Sequence, residues 1–468
     1  MAKKRAATLG ELRASDYELL PVRVELRKNL IAMLGAGTEI FPGIIGYDET
    51  VIPQLQNAIL SGHDVIMLGE RGQAKSRIIR GLTSLLDEWT PVLDEAEIPE
   101  NPFKPITAEG KQVVATQGDD ARIRWMHRDE RYSEKLATPD ITIADLIGEI
   151  DPIKVAEGRY LSDELTIHYG LIPRTNRGIF AINELPDLAE RIQVGLLNAM
   201  EERDIQIRGH KVRLPLDVYI VATANPEDYT NRGRIITPLK DRYGSEIRTH
   251  YPNSIEHEIG IMELEHNQLD MGDHRVVVPE YMKEIIAEIT RLARRSPDIN
   301  QRSGVSVRAS ITDFEAILAN ALRRSIRLRE SDVVPRISDL AFVMPSLHGK
   351  VEFETVEEGH DDQILERLVQ GAVVAVFNRR CNLSDLEPVV EAFKAGISVD
   401  TGEVMPVKDY QRLLKDIDGL AAAVAELATE QTPAVQAAAI EFLLEGLHLN
   451  KRLNKDQISG HTQARYRG

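Results

Sequence analysis

The chain has 468 residues, 43% hydrophobic and 28% charged, with a formal net charge of −17 and one cysteine, Cys381. Such a length suits two or three domains with enough apolar material for true cores, and one cysteine excludes an internal disulfide or a Cys-rich metal site. The acidic balance argues against a general nucleic-acid binder, and the lack of any run of about 18 apolar residues argues against a membrane span.

The N-terminus, Met1-Ala2-Lys3-Lys4-Arg5, is basic, but Glu11, Arg13 and Asp16 follow in place of an apolar stretch, so a secretory signal is not expected and a cytoplasmic setting is. Residues 17–41 carry a helical period that breaks at Phe41-Pro42-Gly43, and 49–61 read as a second helix ended by Ser61-Gly62. Val65-Ile66-Met67-Leu68 is a buried-type strand, and the helix after it is predicted to run to about Trp89. Residues 90–140, rich in Pro, Asp and Glu, read as an excursion of loops with a hairpin around Lys111–Thr116.

Two further apolar strands follow, at Gly178–Ile182 and Val218–Ala224, with a helix over 187–203 and a hairpin over 204–214 between them. Three continuous apolar strands separated by helices predict a parallel sheet covered on both faces. Tyr251-Pro252 reads as the boundary to a mostly helical domain of about 253–345. Beyond it come a helix at Gln363–Arg380 and a helical pair, 408–430 and 432–449, of Ala-rich helix-former composition. Arg323, Arg324, Arg327 and Arg329 read as a solvated helix face.

The chemistry gathers at the strand ends. Gly69-Glu70-Arg71-Gly72-Gln73-Ala74-Lys75-Ser76, between a strand and a helix, fits the phosphate-binding pattern G-x-x-x-x-G-K-[ST] except that Ala74 stands where a second Gly is expected. Such a loop turns backbone N–H groups and a helix N-terminus toward phosphates. Lys75 would reach the β- and γ-phosphates, and the Ser76 hydroxyl would ligate Mg²⁺. Phe180-Ala181-Ile182 ends in Asn183-Glu184. Nucleotide hydrolysis needs a metal-holding carboxylate and a water-activating glutamate there; Glu184 keeps the second role, whereas Asn183 brings no charge and should weaken Mg²⁺ binding. Asn225 ends the next strand, either to orient the attacking water or simply to open an Asn-Pro turn. Arg242 either acts on a neighbouring subunit's nucleotide or pairs with Asp241 at the surface. Arg308 either reaches the phosphates from the second domain or is an ordinary helix-start residue.

In this order and spacing the motifs resemble the AAA+ ATPases, and within them the magnesium chelatase I-subunit/MoxR-like branch. The resemblance rests on Gly69–Ser76, Gly178–Glu184, the insert after Glu201-Glu202-Arg203, Ala224-Asn225-Pro226 and Leu239-Lys240-Asp241-Arg242-Tyr243-Gly244. Leu146-Ile147-Gly148-Glu149-Ile150-Asp151-Pro152 and Ser306-Val307-Arg308-Ala309 fit as well. It covers roughly 40–345.

The resemblance implies an α/β AAA+ P-loop domain over 46–252 after an N-terminal helical segment (1–45). A helical lid (253–345) and a mostly helical C-terminal extension (346–468) complete the chain. It implies ATP and Mg²⁺ as cofactors, with Lys75 and Ser76 as Walker A, Asn183 and Glu184 as Walker B, Asn225 as sensor 1, Arg242 as arginine finger and Arg308 as sensor 2. It further implies a homo-hexameric ring acting with a von Willebrand A-type partner in metal insertion or in remodelling protein complexes. A nucleotide-binding ring that turns over slowly is the alternative. A sigma-54-type activator or a helicase fits less well, because the Gly-Ala-Phe-Thr-Gly-Ala loop and a helix-turn-helix are both absent.

Overall fold

A computed structural model describes residues 5–151, 153, 164–201, 214–225, 234–268, 270–354, 360–428, 430–459 and 463–468. The chain divides into two compact units, Met1–His250 and Tyr251–Gly468.

The first unit is built on strands β1 (Val65–Leu68), β2 (Trp89–Leu93), β3 (Ile123–His127), β4 (Tyr132–Leu136), β5 (Gly148–Ile150), β6 (Ile167–Tyr169), β7 (Gly178–Asn183), β8 (Val218–Ala224) and β9 (Ser245–Arg248). Five of them form one sheet in the order β4-β7-β8-β1-β9, and every pairing in it is parallel. The three central strands are apolar throughout because both faces are covered. Successive side chains alternate between two cores: Val65, Met67, Ile179, Ala181, Tyr219 and Val221 join the cluster formed by the helices Val22–Gly35, Val51–Ser61 and Lys75–Gly81. Ile66, Leu68, Phe180, Ile182, Ile220 and Ala222 join the opposite cluster, with Leu188, Ile192 and Leu196.

Several expectations are corrected here. The helix expected over 17–41 spans only Val22–Gly35; Pro21 stands at its N-cap, and the Val22 N–H is met by the Asp217 carboxylate at 3.0 and 3.1 Å. The helix after the loop does not reach Trp89, because it gives way to a 3₁₀ turn at Leu82–Leu85 and then to β2. Within 90–140 there is no hairpin at 111–116; Ala108–Gln117 is a helix opened by the Thr107 hydroxyl, and the antiparallel pair is β2 with β3. β4 lies in the same stretch and is an edge strand of the main sheet. The expected hairpin at 204–214 lies outside the described residues apart from its last one, Leu214, which is buried.

Two attachments hold the periphery. Arg131 is buried and forks onto Glu25 at 2.6 and 2.6 Å while its Nε donates to the Arg177 carbonyl at 2.7 Å, so the first long helix is pinned to the turn before β4. The extreme N-terminus straps onto β3: Ile123 donates to the Ala7 carbonyl at 3.0 Å, and the Trp125 indole donates to that of Ala6 at 2.8 Å. Arg5 stacks over the Trp89 ring at 3.8 Å, and Tyr17 meets Trp125 edge-on at 5.3 Å.

The second unit packs the helices Ile255–Glu265, Glu280–Ala293, Arg308–Leu328, His360–Arg380 and Pro433–Leu449 into one apolar cluster that extends from Met262 to Tyr466. The pair expected at 408–430 and 432–449 is three helices, Val407–Asp416, Leu420–Leu427 and Pro433–Leu449. The C-terminal region also carries a three-stranded antiparallel sheet, Ser398–Gly402, Gln463–Arg467 and Asn454–Ser459, which sequence reasoning missed. The arginine cluster is not one solvated face. Arg324 is buried, donating to Asp339 at 2.9 Å and the Val334 carbonyl at 2.7 Å, whereas Arg323 and Arg327 share Glu403. Among the described residues, no helix is long and apolar enough to cross a membrane.

Candidate functional site

Because the main sheet is parallel, β1, β7 and β8 all deliver their C-terminal residues to one edge, the edge where open α/β sheets bind ligands. Leu68 is level with Ala224, and Ile182 with Ala222. Gly69, the residue after β1, donates to the Ala224 carbonyl at 3.2 Å. The loop at 69–76 therefore leaves the sheet beside Asn225.

The loop is closely fitted. A Cβ at Gly69 would land on the Thr249 hydroxyl and the Gln73 amide oxygen, so any larger residue would have to push both side chains aside. Thr249 Oγ1 lies 2.6 Å from Gln73 Oε1, and the Thr249 N–H donates to the Leu68 carbonyl at 2.7 Å. Tyr47 Oη sits 3.0 Å from the Gln73 carbonyl and 2.7 Å from that of His250; burial pushes its pKa up to about 12, so it stays a neutral phenol. Gly72 and Ala74 both take positive φ, 75° and 56°. Ala74 thus occupies the left-handed region that the missing glycine would enter freely, at a cost of about 1–2 kcal/mol. Left-handed turns of this kind aim successive N–H groups at an anion.

Lys75 begins the following helix and is buried. Its ammonium donates to the carbonyls of Gly69 and Glu70 (2.8 Å for Glu70) and to Asn225 Oδ1 at 2.9 Å. Two residues 150 positions apart, chosen on separate motifs, thus touch directly. Glu184 also takes a positive φ, 55°, and its N–H donates to the Thr223 hydroxyl at 3.0 Å. A non-glycine residue held left-handed at a strand end costs about 1–3 kcal/mol, and such strain clusters at active sites.

The other expected residues are distributed as follows. Arg242 donates to the Pro238 carbonyl at 2.7 Å and to Glu201, not to Asp241, and its side chain is 24% exposed. Arg308 heads the helix Arg308–Leu328 of the second unit, its N–H donating to the Ser306 hydroxyl at 3.1 Å. Glu70 and Ser76 are half-buried and Arg71 is exposed.

Asn183 is engaged at both ends. Its Oδ1 accepts from the Thr223 hydroxyl at 3.3 Å, and its Nδ2 donates to Glu134 Oε1. Glu134 was missed by sequence reasoning. It lies on β4, where Tyr132-Ser133-Glu134-Lys135-Leu136 is too polar to read as a sheet strand. Arg80 forks onto it at 2.7 and 3.0 Å, and the Tyr132 hydroxyl donates at 3.1 Å. Burial alone would raise the Glu134 carboxyl, but donors from Arg80, Tyr132 and Asn183 outweigh it and hold the pKa below the ordinary value.

The geometry fits a nucleotide and its metal. The loop offers an N–H cradle and a lysine, the helix Lys75–Gly81 offers the Ser76 hydroxyl, and the sheet offers the carboxylates of Glu184, just after β7, and of Glu134 on β4. Magnesium is usually held by one or two carboxylates together with substrate phosphates.

The chain is similar to several known proteins. The family model described as the sigma-54 interaction domain matches residues 156–239. The Bacillus subtilis protein YeaC is 26% identical over 242 residues, which cover 47% of this chain and 71% of that protein. The magnesium-chelatase 38 kDa subunit of Cereibacter sphaeroides is 25% identical over 231 residues, covering 47% of this chain and 62% of the subunit. The magnesium-chelatase subunit ChlI of Synechocystis is 27% identical over 226 residues, covering 45% and 57%. The match thus spans about three-fifths of each chelatase subunit's length. Among solved structures, the BchI–BchD complex of magnesium chelatase aligns at 16% identity and TM-score 0.36 over 69% of this chain and 98% of that one.

Proposed function

We propose, on the premise that this chain is an AAA+ ATPase of the magnesium-chelatase I-subunit and MoxR-like clade, that it binds Mg·ATP on the loop 69–76 and hydrolyses it within a ring of identical subunits. The observation that carries this reading is the Lys75–Asn225 contact at 2.9 Å, which unites the phosphate loop with the polar end of β8. The Lys75 ammonium and the loop N–H groups bind the β- and γ-phosphates. Glu184 accepts a proton from the attacking water as its oxygen bonds to the γ-phosphorus and the bond to the β–γ bridging oxygen breaks. Asn225 orients that water. Bound magnesium, held from the protein side by Ser76 and the Asn183 strand end, supplies charge neutralisation at the phosphates.

Arg242 acts on the neighbouring subunit's nucleotide, and Arg308 closes on the phosphates from the second unit. The Arg242 role requires assembly, and a homo-hexamer is the assembly proposed. The work done is remodelling of a partner complex or metal insertion, with a von Willebrand A-type protein as partner. The test is ATP turnover measured beside nucleotide affinity. Lys75→Ala should abolish binding, and Glu184→Gln should keep binding and lose turnover by at least about 10²-fold. Tight binding without turnover, unchanged by Glu184→Gln, would favour a second reading. That reading is a ring that assembles on nucleotide and hydrolyses slowly, and the uncharged Asn183 supports it.

A further inference from the structure

A phosphate loop normally relies on a carboxylate at the end of a nearby strand to help hold magnesium, and in this chain that position is the amide of Asn183 at the end of β7, one strand beyond β8. The amide does not stand alone. Its nitrogen donates to Glu134 on the adjacent strand, so a carboxylate lies one hydrogen bond from the place where the charge is missing. The same carboxylate is tied to the helix that carries Ser76. Arg80 follows Ser76 by four residues, one turn of helix, so the two project from the same face, and Arg80 forks onto Glu134 at 2.7 and 3.0 Å. Glu134 is therefore on the Ser76 side of that helix, the side proposed for the metal. Its side chain is 19% exposed, whereas that of Arg80 is 63% exposed and well hydrated, so their pairing is replaceable.

We propose that Glu134 is the anionic half of a divided Walker B pair: Asn183 keeps the shape of the strand end, Glu134 supplies its negative charge, and Arg80 competes with magnesium for that charge. This rests on the Mg·ATP reading above. Glu134 is a positioning residue acting through Asn183, and its removal should weaken metal binding about tenfold, the low end of what outer-sphere partners contribute.

The experiment is calorimetric titration of magnesium into the full chain holding ADP, together with ADP titration in EDTA. Glu134→Gln should lower magnesium affinity about tenfold and leave the metal-free ADP affinity unchanged. Arg80→Gln, which frees the carboxylate, should raise magnesium affinity, whereas a merely structural ion pair would make both variants weaken it alike. The exchange Glu134→Gln with Asn183→Asp restores one amide beside one carboxylate and should recover magnesium affinity. Should Glu134→Gln fail to fold, judged by its far-UV melt, Arg80→Gln and the exchange variant decide the matter. Magnesium affinity insensitive to position 134, or lowered by Arg80→Gln, overturns the proposal. No ADP binding to the unaltered chain with or without metal overturns the ATPase reading instead.

Discussion

Replacing Asp313 by Asn should flatten part of the pH dependence of stability in the second unit. Asp313 lies on the helix Arg308–Leu328 with its side chain wholly buried. Its Oδ1 accepts from the Ser346 hydroxyl, and its Oδ2 has no partner among the described residues. Ser346 Oγ is also 2.8 Å from the Val343 carbonyl. One hydroxyl proton cannot serve two acceptors, but a protonated Asp313 can donate to Ser346, which then donates to Val343. Burial pushes this carboxyl from 3.8 to about 7, against the smaller opposing pulls of Ser346 and Lys350.

Because the folded-state pKa is raised, the folded chain holds the proton more tightly. The associated stability is complete below pH 3.8 and drains away as pH rises to about 7. A gap of about three units at 1.36 kcal/mol each is worth about 4 kcal/mol in all, of which about 3 kcal/mol falls between roughly pH 5 and 8. Urea unfolding followed by far-UV circular dichroism at several pH values, for the unaltered chain and Asp313→Asn, isolates this group by difference, since all other titrations cancel. Asp313→Asn should gain on the unaltered chain by about 3 kcal/mol across that span. Parallel stability curves would refute the reasoning.

Three further outcomes are expected. Gly69→Ala should destabilise the first unit by about 1–3 kcal/mol in urea unfolding, because the new methyl group meets Thr249 and Gln73 in a packed loop, and ADP binding should be lost with it. Ala74→Gly should stabilise that unit by about 1 kcal/mol by relieving the positive φ, without weakening ADP affinity. Arg242→Ala should lower steady-state ATP turnover by about 10³-fold while single-subunit ADP affinity is unchanged; loss of affinity to the same degree would show that Arg242 serves its own subunit.

The three central strands were legible because double-sided burial makes them apolar without interruption. The edge strands were not. Tyr132–Leu136 and Ser245–Arg248 are mostly half-exposed, so their side chains stay polar and the apolar signal fades. The helix Ala108–Gln117 buries only Gly110 and so carries almost no period, while the helix expected to reach about Trp89 ends at Gly81, and most of the strand Trp89–Leu93 fell in the stretch read as loops. At the site, the loop, Glu184 and Asn225 were found because each belongs to a short contiguous motif. Glu134 was invisible because its partner Asn183 is 49 residues away and only strand pairing brings them together. Arg324 illustrates the converse: one arginine in a basic helix segment became a core residue because Asp339 and a carbonyl satisfy it inside.

The N-terminal strap on β3 has an optical consequence. The chain has two tryptophans, Trp89 and Trp125, and both lie in the β2–β3 pair, one beneath the Arg5 guanidinium and one beside Tyr17. All indole emission therefore originates in the first unit, at the patch where the first residues are fastened down, and the second unit is dark at that wavelength. A single denaturation run read in two channels, indole emission and far-UV dichroism, can separate the melting of one half from that of the whole. Peeling away the N-terminal strap should register as a spectral shift before either half unfolds.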